Sequence, residues 1–246
     1  MLWLLPLITA VWILGSFIIT YVIAVANGRV EPNFPYISYT AIYAPERAIF
    51  SQLVNIGAVL LGSTAYVRYI QVKADYPHMS TKMRGCNVAS LVLGMLSALG
   101  LSMVANFQAK IIQIPHYLGA FFAFGLGTVY CWVQTVITGK IFTRDFNYSR
   151  GVLILRIFIS ISVTIILFIF TATKIFYKKH KFPGSKWNVH RGVYLTSTST
   201  EWLLAICILL YVLSFIAEFR NIRLRFPEIV STVERSNTME TNHQLS

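Results

Sequence analysis

Six apolar stretches, each close to the length of a bilayer crossing, constrain this chain more than any other feature of its 246 residues. A helix rising 1.5 Å per residue takes about 20 apolar residues to cross a hydrocarbon core ~30 Å thick. The stretches run Leu2–Ala26, Ile49–Val67, Cys86–Phe107, Tyr117–Thr138, Val152–Thr173 and Ser199–Ala217. Charged residues make up only 12% of the chain, about half the share a soluble domain needs to face water. The expected fold is all-α, a polytopic membrane protein with six transmembrane helices. Residues 1–218 form the membrane domain and 219–246 a cytosolic tail, basic beside the membrane and then polar with the composition of disordered chain. The first stretch also ends in Ala24-Val25-Ala26, which resembles a signal-peptidase site. It has no basic residue before Arg29 and exceeds the usual h-region, so a retained span is the better reading.

The formal charge of +12 sits in short runs between the apolar stretches rather than on one basic face. That distribution is juxtamembrane and argues against a nucleic-acid partner. With both termini cytosolic, eleven basic residues fall on the inner side: Arg68, Lys73, Lys82, Arg84, Lys140, Arg144, Arg150, Arg220, Arg223, Arg225 and Arg235. Nine fall outside, six of them between Lys174 and Arg191, so the positive-inside rule favours this orientation only narrowly. It places the sequon Asn147-Tyr148-Ser149 in the cytosol, where it escapes glycosylation.

Small residues four apart predict close helix contacts. The third stretch carries Ser90, Gly94, Ala98 and Ser102, and the fourth Gly119, Ala123 and Gly127; the two are expected to pack face to face. Polar residues at membrane depth tend to be paired or to line cavities. Gln52, Asn55, Asn87, Asn106, His116, Gln134, Arg156 and Glu201 are the candidates. Arg156 is expected to snorkel to the cytosolic interface. His116 and Glu201 share the opposite end, where either a hydrogen-bonded pair or separate interfacial solvation fits. An imidazole there is also a candidate acid sensor.

No catalytic, cofactor-binding or metal-binding pattern is present: no H-E-x-x-H, G-x-S-x-G or P-loop, and no closely spaced Cys or His set. Cys86, Cys131 and Cys207 read as small packing residues. Nor is there the repeat symmetry of many transporters. The first loop contains Phe34-Pro35-Tyr36-Ile37-Ser38 and Ala44-Pro45-Glu46, which predict an ordered, extended segment with Tyr36 and Tyr43 at the lipid interface. The run Phe176–Gly184 is basic and aromatic, as in segments that contact lipid headgroups, on whichever side of the membrane it lies. Tyr76-Pro77-His78-Met79 fits a short tyrosine-based sorting pattern.

Taken in order, several motifs resemble the DNA-damage-regulated autophagy modulators. They are Pro35-Tyr36-Ile37-Ser38 with Pro45-Glu46, Arg68-Tyr69, Ser90–Gly94, Gly100 through Asn106-Phe107-Gln108, His116, Gly119, and Glu201-Trp202. The Val104–Gln108 run favours that branch over the tentonin-like membrane proteins that share the other motifs. Two departures stand out: Ala48 and Tyr194 occupy positions where relatives tend to have Cys and His. The resemblance implies a non-enzymatic multi-pass protein of lysosomal or endosomal membranes that modulates autophagy. Its partners would be the lipid bilayer and proteins engaging the cytosolic loops and tail; no feature encodes an oligomeric state. A plasma-membrane organiser recruiting lipid-metabolising enzymes, or a channel or channel accessory subunit, are the alternatives.

Overall fold

The computed structural model describes residues 1–143, 149–179, 191–220 and 222–223. Asn147, Arg225, Arg235 and most of the expected tail lie outside them. Six helices are long and apolar enough to cross a membrane: α1 (Leu4–Ala26), α2 (Glu46–Asp75), α3 (Thr81–Asn106), α4 (Gln113–Phe142), α5 (Arg150–Lys179) and α6 (Arg191–Phe219). No strand occurs among the described residues. Consecutive helices pack on each other and α6 returns to α1 and α4, so the bundle closes into a ring. The starts of α1, α3 and α5 and the ends of α2, α4 and α6 share one face, here the terminal face; the opposite ends of the six helices define the loop face.

Apolar side chains point outward as well as inward. Phe168 is 76% exposed and Phe158 67% exposed, a surface tolerated in hydrocarbon and not in water. The helices overrun several of the expected stretches, because polar and basic turns such as Arg68–Asp75 and Lys174–Lys179 continue the helix beyond the hydrocarbon. Helix ends follow local chemistry. Gly28, at φ +64°, ends α1; its N–H donates to Val25 O and that of Arg29 to Ala24 O, the Schellman pattern that glycine permits. Ser80 caps α3 by accepting from the Met83 N–H.

α3 and α4 pack more tightly than side chains would allow. A Cβ on Gly100 would lie 2.5 Å from Gly119 O and from Ala123 N, so backbone meets backbone. Gly119, Ala123 and Gly127 therefore face α3, where they meet Gly100, Met103 and Ser97. The other small-residue row turns mainly elsewhere: Gly94 lies against Ala65 and Tyr130, Ala98 against Gly62, and Ser102 donates to Asn55. Ser90 is reached from α4 by Gln134. One turn of α4, Phe121–Leu126, is a π-turn, which inserts a residue and re-aims the aromatic side chains around it.

Candidate functional site

The loop face is organised by the first loop, which folds inward. Ile37–Ala41 forms a 3₁₀ turn where extended chain was expected. Three bonds fasten this segment to α6: the Ile37 N–H donates to Glu201 Oε2 (2.7 Å), Trp202 Nε1 donates to Pro35 O (2.9 Å), and the Tyr36 hydroxyl donates to Ser197 Oγ (2.8 Å). Tyr36 is 1% exposed, buried in protein rather than at the lipid interface, whereas Tyr43 is open and stacks with Arg29. Burial raises the phenol pKa of Tyr36 and pushes that of Tyr39 up to about 12, so both stay un-ionised at physiological pH. At the start of α2, buried Glu46 accepts from Asn27 Nδ2 at 2.7 Å, tying the two ends of the loop together.

Glu201→Ala would leave the buried Ile37 N–H without its acceptor, at a cost of about 1–3 kcal/mol. The expected result is faster proteolysis of the 27–45 loop from the loop face, with a smaller increase for Trp202→Phe. Wild-type cleavage rates in Glu201→Ala would contradict the docking role.

Beside this plug, His116 Nδ1 lies 2.7 Å from Phe107 O, so Nδ1 donates and holds the end of α3 to the start of α4. Asn106 accepts from Ser51 and Asn55 and donates to Asn55 and to Ser102 O, while Gln108 donates to Asn106 O. His116 and Glu201 thus bond to backbone groups and not to each other. Both still line one cavity of about 70 Å³, with Ser38 and Ser97 among apolar neighbours, room for a few waters at most.

The terminal face holds a cluster that sequence reasoning missed. Arg156 is fully buried, not snorkelling. Its guanidinium meets Glu218 Oε1 at 2.7 Å and Oε2 at 3.0 Å, and donates to Thr138 Oγ1 and to both Ser214 oxygens. Arg68, equally buried, reaches Glu218 Oε1 at 3.2 Å and donates to Gln134 and Gln71, and Gln71 donates onward to Asp75. The Phe215 ring lies under both guanidiniums. Regular helix stops at Leu213 and restarts at Ile216; at that break Arg156 takes the Ser214 carbonyl and Glu218 turns inward. Beside the cluster, Asn87 Nδ2 donates to Tyr69 O. Met79 is buried against Val72, Met83, Ile137 and Ile141, so the sorting-like tetrapeptide is partly held by the bundle. The three cysteines are unpaired thiols.

Similarity to known proteins extends over nearly the whole of the helical bundle. The profile of the Frag1/DRAM/Sfk1/Cwh43P N-terminal domain matches residues 1–222. The chain belongs to the Frag1/DRAM/Sfk1 family. It is 36% identical to DNA damage-regulated autophagy modulator protein 2 of Mus musculus over 232 residues, covering 90% of this chain and 85% of the relative. Identity to the human modulator protein 1 is 33% over 225 residues, covering 89% and 92%. The Xenopus laevis modulator of macroautophagy TMEM150B-B is 41% identical over 137 residues, 55% of this chain and 57% of that one. No solved structure matches.

In this Frag1/DRAM/Sfk1 chain the separated motifs meet in pairs, most of them on the loop face and Arg68 on the terminal face. Pro35-Tyr36-Ile37 docks on Glu201-Trp202, Asn106-Phe107 meets His116, Gly119 meets the Gly100 turn, and Arg68 meets Glu218. Ser38 is buried beside His116 and Glu201, while Pro45 sets the entry of α2.

Proposed function

We propose that this family member is a non-enzymatic protein of lysosomal or endosomal membranes that modulates autophagy, with both termini and the terminal face in the cytosol. The observation that carries the reading is similarity along nearly the whole chain to proteins named as autophagy modulators. The geometry supports the non-enzymatic part: Glu201 and His116, the groups suited to acid–base chemistry, are each engaged in holding backbone. Proteins recruited to the cytosolic loops and tail, or a change in lysosomal ion or lipid balance, would carry the effect. A tag at the endogenous locus tests the placement. Overlap with lysosomal markers is the expected result; confinement to the plasma membrane would contradict it and favour the organiser reading.

The expected result for orientation is that glycosidase treatment leaves mobility unchanged in wild type and in Asn147→Gln. A shift in wild type that Asn147→Gln abolishes would invert the topology.

A further inference from the structure

Between the loop-face halves of α4 and α5 lies a cleft of about 500 Å³. Its walls are almost wholly apolar, with Phe121 and Phe124 from the π-turn facing Leu167 and Phe170 across it. Lys174 and Lys178 stand at its mouth. The Lys174 ammonium lies 4.8 Å from the ring centres of Tyr36 and of Phe170, and that of Lys178 lies 5.0 Å from Tyr117. Aromatic faces hold both cations in place. Neither lies within ion-pair distance of a carboxylate among the described residues.

The depth matches a lipid. Lys174 sits five residues before the end of α5, about 7 Å along the helix axis; centring this 30-residue helix, about 45 Å long, on a ~30 Å hydrocarbon core puts it where headgroup phosphates give way to acyl chains. Leu167 lies seven residues further in, about 10 Å deeper. The surface of the bundle provides a comparison. A groove between α2 and α3 of about 550 Å³, lined by Val59, Gly62, Tyr66 and Met95 among others, has no basic residue. Charge, rather than apolar volume, distinguishes the α4–α5 cleft.

We propose that this cleft binds one anionic phospholipid of the surrounding leaflet, its phosphate at Lys174 and Lys178 and an acyl chain running past Phe121 and Phe124 toward Leu167. Phe124 also lines the inner cavity beside His116 and Glu201, so lipid occupancy bears on the wall that separates the two. The site stands independently of the autophagy role.

The test is the full chain in phosphatidylcholine nanodiscs containing a minor fraction of phosphatidylglycerol, with retained lipids counted by native mass spectrometry. Wild type is expected to retain phosphatidylglycerol about tenfold above its share of the bilayer, and Lys174→Gln/Lys178→Gln to lose that preference. Thr171→Trp, which fills the cleft and leaves both lysines, is expected to lose it too. Lys140→Gln, on the opposite face, is expected to keep it. Undiminished retention in the double variant, or in Thr171→Trp, overturns the proposal. Should Lys174→Gln disturb the docked loop and unfold the protein, Lys178→Gln and Thr171→Trp decide: reduced retention in both supports the site, and unchanged retention in either overturns it.

Discussion

Glu218→Ala is expected to destabilise the protein by about 3–5 kcal/mol, the usual cost of stripping one partner from a buried ion pair. The carboxylate is shared by two guanidiniums that are fully buried. Removing it leaves two like charges facing each other where neither water nor lipid can solvate them. Glu218→Leu/Arg156→Met is expected to cost less than Glu218→Ala, because one of the orphaned charges leaves with its partner. The ordering is the informative part: melting temperatures in detergent should rank wild type, the double variant, then Glu218→Ala. Were Glu218→Ala to melt with wild type, the cluster would not be holding α2, α5 and α6 together.

Gly100→Ala should be nearly as disruptive for a different reason. Its new methyl would meet the backbone of Gly119 and Ala123 at 2.5 Å, and backbone cannot step aside as a rotamer can. Overpacking costs about 1–3 kcal/mol, and here the upper end applies because two helices must separate. Gly85, on the same helix, has nothing within 4 Å of its Cβ position. Gly85→Ala is therefore expected to be neutral or stabilising by about 0.5–1 kcal/mol. Comparable melting temperatures for the two variants would show that the α3–α4 approach is looser than described.

How far the sequence could be read depended on the range of the interaction. The six crossings were legible because about 20 apolar residues in a row is a local signal. The small residues of α3 were legible as packing residues, but their direction was not. Gly94 and Gly100 lie six residues apart and so face different neighbours, and the four-residue row drew attention to the first of them. The π-turn left no trace, since Phe121–Leu126 reads as ordinary apolar helix. Arg156 stands out in the sequence but reads as interfacial, because its carboxylate is 62 residues away and just past the end of the sixth apolar stretch. In the first loop the motif was visible and its chemistry was not: Trp202 and Glu201 bond to the main chain of Pro35 and Ile37, and main-chain partners have no side-chain signature.

Autophagic flux in cells lacking the gene, measured with and without lysosomal inhibition and after re-expression, tests the central claim most directly. The expected result is a change in flux on deletion that wild type restores and Glu218→Ala restores weakly through its lower abundance. Flux that is the same with and without the gene, in cells that normally express the protein, would contradict it.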